Sequence, residues 1–335
     1  MPTLDIFDDD AFSLSSLTAT VNNPPEGQIT PAPLAEVFDE EGVSTLSVSI
    51  ERDGDSLALI PASERGSPGD VTLGAKRDLV PFNLLHLSTT AAVYADEVQG
   101  VRAFGSETEL ETVQNIVAKR LAKMRARLDV TLSYHRFGAL TGKVFDADGA
   151  TVLLDLFDRF GIAQSTLSFA LATATTNIAQ KIRDAKRMSE DVISSSGLIT
   201  GWRGICGRGF YDSFVAHPKV EAAYERWNAG EFLRSDNING FRFGDVDWMP
   251  YYGKVGNISF IDTDTAYLVP TGIADLFIGR FGPADYMETV NTVGLPYYAK
   301  QERIPFDKGV QLELQSNPLH ICTKPRAIIK LTKGA

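Results

Sequence analysis

Only two cysteines, Cys206 and Cys322, occur in this 335-residue chain. They are too few and too far apart for a disulfide framework or a cysteine-based metal site, so a reducing compartment is expected. No run of about 18 apolar residues is present, so no membrane-spanning helix is expected. The first residues, MPTLDIFDDD, lack a basic region and an apolar core, so no secretory signal is expected. These absences describe a soluble, cytoplasmic product. No G-x-S-x-G, H-E-x-x-H or C-x-x-C motif occurs, which leaves the common nucleophile and metal signatures unmatched. The four histidines, His86, His135, His217 and His320, are scattered without metal-ligand spacing.

Basic residues are missing from one region. Residues 1–42 contain nine carboxylates (Asp5, Asp8, Asp9, Asp10, Glu26, Glu36, Asp39, Glu40, Glu41) and no Lys or Arg. Of the net charge of −11, that leaves −2 for the rest of the chain. The acidity argues against nucleic-acid binding as the main task. Apolar residues are also sparse here, and Asn22-Asn23-Pro24-Pro25 and Pro31-Ala32-Pro33 interrupt the stretch. Such a segment reads as an arm, disordered or ordered by lying on a neighbour.

Glycine and proline are absent between Ser106 and Phe137, and this gap marks the strongest positive signal. Leu110, Val113, Val117, Leu121, Met124, Leu128 and Leu132 hold the helical period. Ser106 and the carboxylates of Glu107, Glu109 and Glu111 suit a helix start, and Gly138 suits its end. A helix over 107–136 is about 45 Å long. Its narrow apolar stripe implies one packed side. Lys119, Arg120, Lys123, Arg125 and Arg127 lie opposite, as a solvated face or one that meets an acidic segment of a neighbouring copy.

Before this helix, Leu46, Val48 and Ile50 alternate with polar residues and predict a strand. Asp53-Gly54 reads as a turn into Leu57–Ile60, a polar loop runs from Pro61 to Lys76, and Leu85, Leu87, Thr89 and Ala91 alternate again. Together they describe an extended hairpin with little core of its own. After it, Asp146–Gly149 gives a turn leading into Val152–Phe160. A helical pattern covers Ser165 to Ser194, shorter helices carry Phe210 and Phe214, then Val220, Tyr224 and Trp227, and Phe241–Phe260 is strand-like. Short strands and turns follow from Ala266. The class is α+β, with few elements adjacent in sequence that would make βαβ units.

Candidate chemistry is weak throughout. Gly138–Lys143 resembles a phosphate loop but fails on glycine spacing, and Val144 stands where a hydroxyl is needed. Gly204 to Gly209 lacks a dinucleotide fingerprint and reads as tight turning. Asp262 and Asp264 form a turn pair that is better read as solvated than as metal-binding. No catalytic, cofactor-binding or metal residue is assigned, and no enzymatic activity is expected.

Four segments carry a resemblance: Gly209–Phe214 with His217–Val220, Phe281–Tyr286, Val290–Lys300 (VNTVGLPYYAK) and Leu312–Leu319 (LELQSNPL). Together they resemble the lambda-type phage major capsid protein E family. The resemblance implies a Hong Kong 97-type capsid fold with an arm at 1–42 and an extended loop at 43–96. It further implies a peripheral domain with a spine helix at 97–149, an axial domain at 150–260, and a return to the peripheral domain at 261–335. It implies a structural shell protein that assembles with itself as pentamers and hexamers around double-stranded DNA in a virion. Scaffold, portal and decoration proteins are the further partners it suggests. A nanocompartment shell of the same fold and an enzyme with an unrecognised site are the competing readings.

Overall fold

In a computed structural model of the chain, residues 9–23, 34–52, 78–98, 109–193, 199–229 and 240–334 are described. The expected turn at Asp53-Gly54, the run Leu57–Ile60 and the helix cap at Ser106 lie outside these residues. Two compact units form: 1–48, 81–136 and 278–320 make the first, and 49–80, 137–277 and 321–335 the second.

The first unit is organised on the long helix, Glu109–Thr141, whose residues through Arg136 belong to it. Val117, Leu121, Met124, Leu128 and Leu132 are all buried. They meet an antiparallel sheet of Tyr298–Arg303, Gly309–Ser316 and Leu87–Tyr94, with Gly309–Ser316 in the centre. Every second residue of the central strand, Val310, Leu312 and Leu314, faces this stripe along with Val93 and Ala299. Each fully buried aliphatic side chain contributes roughly 1.5–3 kcal/mol. This layer therefore holds the unit together.

Part of the acidic N-terminal stretch, residues 9–23, packs on that core despite its sparse apolar side chains. Asp9 and Ser13 cap a short 3₁₀ turn and the helix Leu14–Asn22. Phe12, Leu17 and Val21 then close the same apolar cluster. Asn22 Nδ2 donates to Tyr297 O at 2.9 Å, and Ala299 N–H donates to Thr18 Oγ1 at 3.2 Å. Three apolar side chains cannot build a core alone, but they suffice to complete one.

The alternating run around Leu87 is a strand as expected, with a different partner. Ser47–Arg52 pairs instead with Asp78–Asn83, while Leu87–Tyr94 joins the central sheet. The long helix also runs past its expected end. Gly138 lies inside it, where a Cβ would come within 2.8 Å of Val144 Cα, and Gly142, at φ +88°, terminates it. Residues 138–141 are thus a helical turn and not a phosphate-binding loop.

The second unit contains a six-stranded mixed sheet. Its order is Thr166–Ser168, Ile329–Thr332, Thr265–Thr271, Gly201–Cys206, Val246–Pro250 and Phe241–Phe243. Two of these strands come from beyond residue 260. Helices Ile178–Ile193, Arg208–Val215 and Pro218–Ala229 supply the apolar side chains that cover it. The helical pattern expected from Ser165 begins only at Ile178, because 166–168 is a strand. Val152–Phe160 divides into the strand Val152–Asp155 and the helix Leu156–Phe160, which Asp155 caps. Gly204 is a central strand residue rather than a turn: a Cβ there would lie 2.3 Å from Trp248 Cε3.

Candidate assembly surfaces

Three of the segments that carried the family resemblance, 281–286, 290–300 and 312–319, lie in the first unit, where the first and last of them share a polar framework. Asn317 is buried; its Nδ2 donates to Pro283 O at 2.6 Å and its Oδ1 lies 2.8 Å from His86 Nδ1. Gly282 N–H donates to Asn317 O at 2.9 Å, and Asp285 N–H donates to Gln315 Oε1 at 3.1 Å. Buried polar groups bonded at both ends fix the backbone that carries them. What they fix is the loop from Ala284 to Pro296.

That loop turns its apolar side chains outward. Thr289 Oγ1 donates to Ala284 O at 2.8 Å, and Leu295 N–H donates to Tyr298 Oη at 2.9 Å. Gly294 packs so closely that a Cβ would meet Phe281 O at 2.0 Å. Met287 is nonetheless 88% exposed, Val293 65% and Val290 56%, with Leu295 also exposed. A second outward feature is the hairpin tip between Tyr298–Arg303 and Gly309–Ser316. Phe306 there is 91% exposed and sits at φ +64°, a left-handed conformation that bulky residues rarely adopt. Lys308 Nζ lies 5.8 Å from its ring centroid. Leu46, just before the Ser47–Arg52 strand, is exposed as well. Rigid backbone presenting exposed apolar side chains is the character of an interaction surface.

The basic face of the long helix divides in two. Arg120 pairs with Glu97, while Arg125 donates to Val21 O, stacks 4.9 Å over the Tyr297 ring and reaches Asp129 at 3.6 Å. Lys119, Lys123 and Arg127 point to solvent. Arg136, buried near the end of the helix stripe, lies 2.6 Å from Glu40 Oε1, which also accepts from His320 Nε2 at 3.2 Å. Sequence reasoning missed this cluster because its members are far apart in the chain and no motif joins them.

His217 and the Asp262–Asp264 pair take part in local hydrogen bonds with the backbone. His217 Nδ1 accepts from Lys219 N–H at 3.2 Å at the start of the Pro218–Ala229 helix, and its Nε2 faces Thr173 O at 3.1 Å. Asp262 Oδ1 accepts from Asp264 N–H at 3.3 Å within an exposed turn. Both cysteines are buried, and burial pushes the Cys322 thiol up to about 12. Among the described residues no group of three or more His, Cys, Asp or Glu side chains is placed to hold a metal ion. No helix among them is long and apolar enough to cross a membrane.

Comparison with known proteins decides what these surfaces belong to. Residues 13–333 match the family described as phage major capsid protein E. The chain belongs to that family. As a member of the capsid protein E family it is a structural shell protein. It is similar to the major capsid protein of Salmonella phage Felix O1, with 27% identity covering 83% of this chain and 85% of the relative. It is likewise similar to the major capsid protein of Pseudomonas phage KPP10, with 26% identity over 88% and 89% of the two chains. In fold it matches the putative capsid protein of a prophage of E. coli CFT073, with a TM-score of 0.56, 14% identity and coverage of 95% and 98%. The capsid of Myoviridae phage XM1 matches with a TM-score of 0.51, 12% identity and 88% coverage of each chain. The fold is the Hong Kong 97-type capsid fold, of the α+β class expected from sequence.

Proposed function

We propose that this capsid protein E family member assembles with copies of itself into pentamers and hexamers that close an icosahedral shell around double-stranded phage DNA. It acts without enzymatic activity. The observation that carries this reading is the match of residues 13–333 to the family, joined to a surface whose apolar side chains are held outward by a fixed loop. Contacts of modest strength, repeated around every copy, give a stable closed shell through avidity. The net charge of −11 suits a container wall, because strong attraction to DNA would hinder packing and release.

In this account residues 1–42 act as the arm, 43–96 as the extended loop and 97–149 as the peripheral domain with its spine helix. Residues 150–260 form the axial domain, and 261–335 carry the chain back toward the peripheral domain. The pairing of Thr265–Thr271 and Ile329–Thr332 with Gly201–Cys206 and its neighbours supports adding those two strands to the axial domain. Scaffold, portal and decoration proteins are the further partners, assembly takes place in the host cytoplasm, and the virion is the final location.

Cryo-electron microscopy of nuclease-treated particles from infected cells tests this reading. The account expects five- and six-membered rings of this chain enclosing protected double-stranded DNA. Particles in which the chain is absent from the shell lattice would refute it.

A further inference from the structure

Phe306 and Met287 pose the same physical problem. Each is a large apolar side chain, 91% and 88% exposed, on backbone that is held in place. At those exposures neither covers the other within one chain. They also belong to different points along the Tyr298–Arg303 strand. The Met287 loop is tied to Lys300 by Glu288 at 2.7 Å, while the tip carrying Phe306 begins after Arg303. The tip itself is well defined: Ile304 N–H donates to Gly309 O at 3.0 Å, and Gly309 pairs with Tyr94.

The two features are complementary in form. The tip is narrow, one projecting ring with Tyr94 half exposed on the adjoining strand end. The loop is broad, with Met287, Val290, Val293 and Leu295 spread over it. Lys308 beside the ring and Asp285 at the edge of the loop are both exposed and of opposite charge. Glu302 and Arg303, just before the tip, offset each other.

We propose that Phe306 of one copy seats on the Met287–Val290–Val293–Leu295 loop of a second copy of this chain. The contact joins unlike patches, so it is heterologous, and it closes into a ring when the rotation between copies permits. This inference rests on the shell reading above and names one of its contacts. It accounts for the left-handed backbone at Phe306: the strain is tolerated because it aims the ring away from its own chain. A single buried aromatic anchor of this kind dominates an interface, and its loss weakens the contact by roughly thirtyfold or more.

Cysteine substitution tests the pairing, since Cys206 and Cys322 are buried. Chains carrying Phe306→Cys and chains carrying Met287→Cys are co-assembled and treated with a short bis-maleimide. The expected product is a mixed dimer linked between positions 306 and 287. Links from 306 to 306, or intact particles without a 306–287 link, would overturn the proposal. Phe306→Gly supplies the second measurement, because glycine accepts the positive φ without strain. It should melt at or above the temperature of the unsubstituted chain yet require at least tenfold more protein to form particles. Unchanged assembly of Phe306→Gly would also overturn it. Failure of the unsubstituted chain to form particles would remove the shell reading itself and this contact with it.

Discussion

Arg136 and Glu40 lie 2.6 Å apart, joining the long helix to the acidic strand Asp39–Gly42. The arginine side chain is only 8% exposed and the glutamate 26%. Glu40→Ala would therefore leave a buried guanidinium without its carboxylate. We expect a loss of about 3 kcal/mol in unfolding free energy, in line with removal of one partner from a buried pair. Urea denaturation measures this, and the neighbouring exposed Glu41→Ala, facing Arg280 at 3.6 Å, should cost well under half as much.

The same cluster makes stability depend on pH. Burial opposes ionisation of Glu40, but hydrogen bonding from His320 and the charge of Arg136 outweigh it, so its pKa falls below the ordinary 4.5. His320, buried with the Phe38 and Phe281 rings edge-on to it, is lowered from 6.5, chiefly by loss of solvent, with Arg136 acting in the same direction. For both groups the unfolded chain binds the proton first as pH falls, so stability falls with it. The His320 part is complete above 6.5 and is lost below it; the Glu40 part is complete above 4.5 and is lost below that. Melting temperatures across pH 4 to 8 should show the first decline below about 6.5, and His320→Asn should flatten that section of the curve.

Leu17 tests how firmly residues 9–23 are packed on the first unit. It is buried against the long helix in the same cluster as Leu121 and Leu128. Leu17→Ala should destabilise the subunit by about 2–4 kcal/mol, whereas Lys123→Ala on the solvent face should stay within about 0.5 kcal/mol. Equal, negligible effects in calorimetry would show that the packing of Leu17 does not hold the subunit together.

Gly204 carries a different kind of constraint. The Cβ of Gly204→Ala would lie 2.3 Å from the Trp248 ring, which is itself buried and anchored by its Nε1 donating to Phe243 O at 3.0 Å. Overpacking here should cost about 1–3 kcal/mol and shift the near-ultraviolet circular dichroism of the tryptophan. An unshifted spectrum with wild-type stability would show that the ring has room to move.

Much of the fold was legible where one element carries its own period. The stripe from Val117 to Leu132 is buried as the spacing required, and the alternation around Leu87 falls on the strand Leu87–Tyr94. Pairing was less legible, because alternation says which face is apolar but not which strand lies alongside; Leu87–Tyr94 found Gly309–Ser316, far along the chain. The burial of Phe12, Leu17 and Val21 was not legible, because it depends on a surface supplied by distant residues. The outward loop was hidden for the opposite reason. Val290, Val293 and Leu295 look like core in sequence, and the bonds of Asn317, Gln315, Thr289 and Leu295 N–H hold the loop that turns them toward solvent.

The central claim is that this chain completes its apolar surface with copies of itself. Negative-stain electron microscopy of the purified full chain, over a range of concentrations, tests it most directly. The account predicts rings and closed shells that become more abundant as concentration rises. A uniform monomer at every concentration would contradict it.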